Sequence, residues 1–165
     1  RLTAAAVLAR PSAALWAQGA LQEGRDYKRV AQPVPVASSK VEVVEFFGYW
    51  CPHCNSFEPT LEAWVRKLPA DKVSFQRVPV AFQSWHENYQ RLYFAVEALG
   101  LVEALKSFSV NAKLAKANQL AAAYRIDGVP TLGVQGRWMT SPSIAGGADR
   151  AVTVASALIQ QAGAR

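Results

Sequence analysis

The two cysteines of this chain stand three residues apart, in the segment Cys51-Pro52-His53-Cys54. No other cysteine occurs among the 165 residues, so a disulfide within the chain must join these two. Such a bond closes a very short loop and restricts the unfolded chain little, which makes structural cross-linking a poor explanation for the pair. Two interpretations remain: thiol–disulfide redox chemistry and a metal site.

The residues around the pair predict how a redox centre is placed. The apolar segment 41–47 predicts a strand that is covered on both faces, and it leads through Gly48 into a helix that starts at Pro52. Cys51 then caps the helix, and Pro52 occupies the first helical position, where its missing N–H costs nothing. The free N–H groups and the positive end of the helix dipole stabilise an anion there, and a thiolate at Cys51 is such an anion.

The two thiols are predicted to differ in role. His53, when protonated, adds a positive charge close to Cys51, whereas Cys54 lies one turn into the helix. Cys54 is predicted to be the more buried thiol and the poorer nucleophile. Cys51 is therefore expected to form the mixed disulfide with a substrate protein, and Cys54 to resolve it. A stabilised Cys51 thiolate favours the reduced pair, and a disulfide that prefers to be reduced oxidises other thiols.

The metal interpretation uses the same residues. A structural zinc site takes four thiolate or imidazole ligands, and only Cys51, Cys54, His53 and His86 could supply them here. His53 stands between the two cysteines, in a geometry poorly suited to chelation with both. His86, at the start of a predicted helix, is interpreted as a surface or capping residue. We therefore predict no metal and no cofactor besides the redox-active disulfide.

The rest of the chain supplies the elements that position this pair. Segments of β-branched and aromatic residues predict strands, and apolar residues at helical spacing predict helices. In chain order we predict a strand at 41–47, a helix from Pro52 to about Leu68, a strand at 73–80, a helical block at about 85–125, a hairpin over 131–140 that turns at Gln135-Gly136, and a helix at 148–162. A βαβ unit followed by a ββα unit is the thioredoxin arrangement. The predicted fold class is α/β, a thioredoxin fold with an inserted helical subdomain.

The segment Glu45-Phe46-Phe47-Gly48-Tyr49-Trp50-Cys51-Pro52-His53-Cys54 resembles the active-site signature of the DsbA family of periplasmic thiol:disulfide interchange proteins. The resemblance returns at Gly128-Val129-Pro130 and covers most of residues 40–162. It implies that Val129–Pro130 is a cis-peptide loop facing the two cysteines, whose backbone pairs with an extended substrate segment. It also implies that Pro130 keeps metal ions off the thiols. An X–Pro bond in a folded protein is cis in only about 5–6% of cases, so the cis prediction depends on the resemblance.

Glu45 lies inside the most apolar strand, where a carboxylate is costly unless it is neutral or paired. The resemblance implies that Glu45 lies beneath the active-site helix and relays the proton of Cys54. The alternative is that its side chain points to solvent at a strand end. Glu58 and Arg77 match charged positions near the same site, but either could equally be a solvated residue of a helix or strand.

Composition limits the remaining classes of function. The formal net charge is +6, but the basic residues are scattered, so nucleic-acid binding is not predicted. Residues 1–20 combine an apolar stretch with a small-residue pattern and are interpreted as the remnant of an export signal, with an amphipathic tail as the alternative. A single thioredoxin-like domain is predicted for residues 21–165. Its helical insertion is short for the resembled family, with segments joined directly at Leu105-Lys106, so the insertion is either reduced or incomplete.

The predicted function is donation of the Cys51–Cys54 disulfide to exported proteins during oxidative folding in the periplasm. The resemblance implies unfolded or reduced exported polypeptides as substrates, a membrane quinone-linked reoxidase resembling DsbB as partner, and a monomeric protein. A reductase or isomerase of the same fold is the nearest alternative. A non-catalytic thioredoxin-fold binding module is an alternative from a different class, and two intact thiols argue against it.

Overall fold

A computed structural model of the chain describes residues 21–98 and 108–163. Within these ranges a five-stranded sheet forms the centre of the molecule, and helices pack on both of its faces. In chain order the elements are strands β1 (Lys28–Arg29) and β2 (Val41–Phe47), helix α1 (Pro52–Val65), strand β3 (Val73–Pro79), a 3₁₀ turn (Ser84–His86), helices α2 (Glu87–Glu97) and α3 (Phe108–Tyr124), strands β4 (Thr131–Val134) and β5 (Trp138–Thr140), and helices α4 (Pro142–Ala145) and α5 (Ala148–Gly163).

Two predictions concern residues outside the described ranges. These are the export-signal remnant at residues 1–20 and the direct junction at Leu105-Lys106, and both stay predictions, as does the domain boundary at residue 21. Among the helices that are described, none combines the length and apolarity needed to cross a membrane.

Strand β2 occupies an inner position of the sheet, whose order is β1-β5-β4-β2-β3. It pairs in parallel with β3 and antiparallel with β4, so both of its edges are hydrogen-bonded. Its last five residues, from Val43 to Phe47, are buried because helices cover both faces of the strand. The near-continuous apolar run predicted such a doubly covered strand, and the structure confirms it.

Two apolar clusters hold helices on opposite faces of the sheet. On one face α1 and α5 pack against β4, through Phe57, Leu61, Leu132, Ala151 and Ala155. On the other face α2 and α3 pack against β2 and β3, through a cluster that includes Val44, Phe46, Val78, Phe94 and Tyr124. Side chains alternate between the two faces along a strand. Glu45, between Val44 and Phe46, therefore points to the face that α1 covers.

The predicted element boundaries are confirmed for most of the chain, with four differences. Helix α1 ends at Val65 rather than about Leu68, because the next residues tighten into turns in which the Leu68 N–H donates to the Val65 carbonyl at 3.0 Å. Residues 21–40 are polar and contain Pro33 and Pro35, which predicts an extended lead-in without regular structure, but the structure places β1 there, paired with β5. The helical block begins as a 3₁₀ turn, and the short helix α4 was not predicted.

The spacing of apolar residues in the helical block predicts a core stripe, which is only partly buried in the structure; its members are Leu92, Phe94, Ala95, Ala98 and Leu99. Phe94 and Ala95 are buried, whereas Leu92 is 48% exposed and Ala98 is also exposed. Leu99 lies outside the described residues. The prediction was wrong for Leu92 and Ala98 because α2 carries apolar residues on two faces, and only one face packs on the core.

Candidate active site

The N-terminus of α1 holds Cys51 at its cap. The Cys51 backbone is extended, with φ −94° and ψ 110°, and its Sγ accepts a hydrogen bond from the Cys54 N–H at 3.3 Å. The Gly48 carbonyl accepts a hydrogen bond from the Cys51 N–H at 3.0 Å, and Pro52 follows at the start of the helix. The predicted placement of the motif is confirmed. Its first sulfur lies where the helix N–H groups and dipole favour negative charge.

A loop from the other half of the fold faces this sulfur. The Cys51 thiol donates a hydrogen bond to the Val129 carbonyl at 3.4 Å, although the two residues are 78 positions apart in sequence. The peptide bond between Val129 and Pro130 is cis, as predicted. The Thr131 hydroxyl donates to the Gly128 carbonyl at 2.8 Å within the same loop. The loop thus presents its backbone to the reactive end of the motif.

The two cysteines are equally buried, so the prediction that Cys54 is the more buried one is wrong. Cys51 is 6% exposed and Cys54 is 7% exposed, because Val129 and neighbouring aromatic residues also cover Cys51. Both are free thiols. Burial raises the pKa of Cys54 strongly, and the hydrogen-bonded Cys51 side chain raises it further. Cys54 therefore retains its proton, which makes it the poorer nucleophile.

Glu45 lies buried beneath α1 with an exposed fraction of 1%, so the alternative of a solvent-exposed carboxylate is wrong. Its Oε2 accepts a hydrogen bond from Arg77 Nε at 2.9 Å. Burial raises the pKa of Glu45 to about 7, although the Arg77 guanidinium opposes that shift. A buried carboxyl with such a pKa takes up and releases a proton near neutral pH.

Arg77 links Glu45 on β2 to Glu58 on α1 by bonding one carboxylate through each side of its guanidinium. A cavity of about 330 Å³ joins this charged group to the redox pair, since all three charged residues line it together with Cys51 and Cys54. Arg77 and Glu58 remain partly exposed at their outer edges. Their pairing with Glu45 nevertheless makes them part of the site.

His86 is buried, so its predicted surface position is wrong. It is 3% exposed and stacks on the Trp50 ring, with the centroids 3.8 Å apart and the planes 12° from parallel. Its Nδ1 accepts a hydrogen bond from the Phe82 N–H at 3.1 Å, and burial lowers its pKa. Gly48 leaves room for the Trp50 ring, because a Cβ there would lie 2.7 Å from the indole. Within the described ranges, no three His, Cys, Asp or Glu side chains are grouped to hold a metal ion.

A larger cavity of about 510 Å³ opens beside the redox pair. Its lining includes His53, Met139, Ile144 and the Val129–Pro130 loop. The exposed His53 follows Pro52 on the first turn of α1. The structure therefore brings His53, Val129 and Pro130 together around one groove.

Sequence reasoning missed Tyr93, which lies on α2 and lines the cavity that Glu45 shares with the two cysteines. Its hydroxyl donates to the Arg77 carbonyl at 3.5 Å, and its ring lies 5.5 Å from that of Phe47. In the sequence Tyr93 is one of several apolar residues of a helical block. A hydroxyl within that apolar stretch is the only local signal that could have found it.

Comparison with known proteins agrees with this geometry. The protein-family model described as Thioredoxin matches residues 27–91. The chain is 34% identical to the thiol:disulfide interchange protein DsbA of Burkholderia cepacia, over 84% of each protein. It is 36% identical to the protein of the same name from Bordetella parapertussis, over 88% of each. The crystal structure of Pseudomonas aeruginosa DsbA is similar with a TM-score of 0.80 and 30% identity, covering 86% of this chain and 94% of that one.

The alignment lengths also bear on the helical insertion. The match to the Burkholderia protein extends over 179 aligned positions, more than the 165 residues of this chain. That relative therefore has internal residues without a counterpart here. The short helical insertion stays a prediction.

Proposed function

Because this chain belongs to the DsbA family of thiol:disulfide interchange proteins, we propose that it oxidises the thiols of exported polypeptides in the periplasm. The chain is a thiol–disulfide oxidoreductase whose redox-active disulfide needs no other cofactor. Cys51 and Cys54, its only cysteines, are the pair that carries this activity. The observation that supports the proposal most directly is the position of Cys51 Sγ, hydrogen-bonded between the Cys54 N–H and the Val129 carbonyl.

The proposed reaction starts from the disulfide form. A substrate thiolate attacks Cys51 Sγ, the bond between the two cysteine sulfurs breaks, and Cys54 leaves as a thiolate with the bonding electron pair. Burial disfavours this thiolate, as the raised pKa of Cys54 indicates, so the sulfur takes up a proton. Glu45 lines the same cavity and has a pKa of about 7, which makes it the proposed donor of that proton.

The second step releases the product. Another substrate thiolate attacks the substrate sulfur of the mixed disulfide, and Cys51 leaves as a thiolate at the helix N-terminus. Pro52 occupies the first turn at no cost, because an N–H group at that position would have no partner within the helix. A protonated His53 adds positive charge at the same end. The substrate gains a disulfide and loses two electrons and two protons to the pair. A membrane quinone-linked reoxidase resembling DsbB is the proposed acceptor that restores the disulfide.

Val129 and Pro130 are proposed to hold the substrate chain during both steps. The Val129 carbonyl lies within hydrogen-bond distance of Cys51 Sγ, so a segment attached to that sulfur passes directly over the loop backbone. The adjoining groove of about 510 Å³ has room for side chains of such a segment. Backbone pairing in a groove of this kind accepts many sequences, as a general oxidase requires.

The redox equilibrium of the pair with glutathione, measured by trapping free thiols, tests the direction of transfer. We expect a potential more oxidising than that of the glutathione pool, and a strongly reducing value would favour the reductase alternative. Cys54→Ser in its reduced form should accumulate a mixed disulfide with a disulfide-bonded peptide, because the Cys51 thiolate displaces one peptide thiol and no Cys54 is present to resolve the product, whereas Cys51→Ser should not. Capture of the peptide by Cys51→Ser instead would reverse the assigned roles.

The proton-transfer role of Glu45 has its own test. Glu45→Gln should slow formation of the mixed disulfide at least about tenfold at pH 7 and should remove the dependence of that rate on pH near 7. Glu58→Gln is the matched control, because it removes a carboxylate from the same Arg77 but not the buried one. Equal losses in the two variants would show that Glu45 acts only through charge pairing.

A further inference from the structure

His86 is the buried member of the chain's two histidines, and the reaction proposed above does not use it. Three aromatic side chains surround its imidazole. The ring centroid lies 3.8 Å from that of Trp50, 4.0 Å from that of Trp85 and 6.5 Å from that of Phe82. An apolar side chain would fill such a space without the cost of burying polar nitrogens. The imidazole therefore needs an explanation besides packing.

The orientation of the Trp50 ring depends on packing alone. Its indole N–H is buried, and nothing within the described ranges accepts a hydrogen bond from it. The ring lies against Gly48, where a Cβ would come within 2.7 Å of the indole, and His86 stacks on it with the planes 12° from parallel. Side chains that lose such a neighbour populate other rotamers. The stack with His86 thus fixes how the indole is placed.

Trp50 belongs to the turn that leads into the active-site helix. The Gly48 carbonyl accepts a hydrogen bond from the Cys51 N–H at 3.0 Å, which closes a four-residue turn with Tyr49 and Trp50 at its centre. Trp50 also packs against the cluster that contains both cysteines. A change in the position of the indole therefore alters the turn directly before Cys51, whose Sγ accepts the Cys54 N–H at 3.3 Å.

The imidazole is itself held by the segment that leaves β3. Its Nδ1 accepts a hydrogen bond from the Phe82 N–H at 3.1 Å. Four residues further along, the buried Gln90 donates from Nε2 to the Pro79 carbonyl at 2.9 Å. Two buried polar side chains thus bond to both ends of the segment 79–82. The bond to Phe82 orients the plane of the His86 ring.

This bond requires a neutral imidazole. Nδ1 is the accepting atom, and a protonated ring carries an N–H there that would face the N–H of Phe82. Burial lowers the pKa of His86. Among the described groups, neither the adjacent Glu87 nor Cys51 and His53 at the start of α1 contribute a charge effect to that pKa. Protonation therefore favours a conformation in which the imidazole leaves the stack.

We propose that neutral His86 is a positioning residue for the redox pair, an inference that rests on the proposed function. It acts through Trp50 and not on the reacting sulfurs. The stacked imidazole holds the indole, the indole holds the turn, and the turn keeps Cys51 Sγ at the N-terminus of α1. Acid that protonates His86 releases the stack and slows the exchange of disulfides at Cys51.

The rate at which the disulfide form of the full-length protein oxidises a reduced two-cysteine peptide at pH 7 tests the proposal. His86→Asn has a hydrogen-bond acceptor but no ring for Trp50, and it should be at least about tenfold slower than the wild type. His86→Phe retains a ring and should stay within about threefold. Gln90→Met is the control, because it releases the same segment at Pro79 and leaves the stack in place. Equal rates for His86→Asn and either the wild type or Gln90→Met would overturn the proposal.

The pH profile separates positioning from a loss of stability. Dividing the wild-type rate by the His86→Phe rate at each pH cancels the fraction of peptide thiolate, and His53 is present in both proteins. We expect this ratio to fall at least about twofold between pH 7 and pH 5, because only the wild type protonates the stacked ring. The same ratio at both pH values would overturn the proposal.

NMR tests the stack without redox chemistry and so separates its failure from failure of the proposed function. In the disulfide form, where neither cysteine titrates, the Trp50 indole N–H signal is assigned with Trp50→Phe. We expect this signal and the Cys51 amide signal to shift with the midpoint of the His86 ring, and that part of both shifts to vanish in His86→Phe. Such shifts in a protein that oxidises no peptide would support the coupling and reject the oxidase. A Cys51 amide signal with the same titration in both proteins would overturn the inference whatever the activity.

Discussion

Replacing Glu45 by Gln is expected to make this protein more stable at neutral pH. The carboxyl is 1% exposed, and burial raises its pKa from the ordinary 4.5 to about 7 despite the hydrogen bond from Arg77. Between pH 4.5 and about 7 the unfolded chain has released this proton while the folded protein retains it. The free energy of unfolding therefore falls as the pH rises through that window.

The difference between the two pKa values sets the magnitude. Each pKa step corresponds to about 1.4 kcal/mol, so ionising the buried carboxyl costs the folded protein about 3 kcal/mol once the pH is above 7. Below pH 4.5 both states are protonated and the cost is absent. Gln has a similar shape and its carbonyl can still accept from Arg77, but it carries no proton to lose. We expect Glu45→Gln to match the wild type at pH 4 and to exceed its stability by up to about 3 kcal/mol at pH 8.

Urea unfolding of both proteins at a series of pH values from 4 to 8 measures this difference. The disulfide form should be used, so that neither cysteine titrates. Glu58→Gln serves as the control, because it removes a charge from Arg77 at a partly exposed position. A stability difference between wild type and Glu45→Gln that is the same at pH 4 and pH 8 would refute the assignment of a buried, proton-exchanging carboxyl.

Three further predictions concern a buried histidine, a turn glycine and a buried tyrosine hydroxyl. Burial lowers the pKa of His86, so the wild type should lose stability as the pH falls below 6.5. In urea unfolding, His86→Asn should reduce this dependence of the free energy of unfolding on pH. The same pH dependence in both proteins would contradict the prediction. Gly136→Ala should lower the free energy of unfolding by at least about 2 kcal/mol more than Gly24→Ala. Both glycines have a positive φ, but only at Gly136 would a Cβ lie 2.0 Å from the Val34 carbonyl oxygen. Equal losses in thermal unfolding would show that this contact relaxes. Tyr124→Phe should cost about 1–3 kcal/mol in urea unfolding, because the hydroxyl accepts the buried Gly136 N–H at 2.8 Å; no loss would mean that the N–H finds another partner.

The parts of the site that adjoin each other in sequence could be predicted from it. Cys51 caps α1 because an apolar strand, a glycine and a proline follow one another within twelve residues. Each of them determines only the conformation of residues close to it in sequence. The order of strands and helices followed from local periodicity in the same way. The extent of α1 was less predictable, since its end depends on turns after Val65 that compete closely in energy with one more helical turn.

The surroundings of individual side chains could not be read in the same manner. The predicted environments of His86 and Leu92 are both wrong: the imidazole is buried against Trp50, and the leucine is exposed to solvent. Polarity alone predicts the reverse. A helix that is apolar on two faces leaves the choice of the buried face to the elements that pack on it, and those elements are distant in sequence.

The sequence by itself determined the chemistry: two cysteines, their spacing, and a strand and helix that place the first sulfur among free N–H groups. The tertiary structure decided which groups surround that chemistry. It brings the Val129 carbonyl to Cys51 from 78 positions away, and it buries Glu45 beside Arg77 in a cavity that also reaches Cys54. A hydrogen bond or a desolvated carboxyl depends on distances across the sheet, which are set when the core packs. Caps and helix starts depend on neighbouring residues, and so are already present in the order of the amino acids.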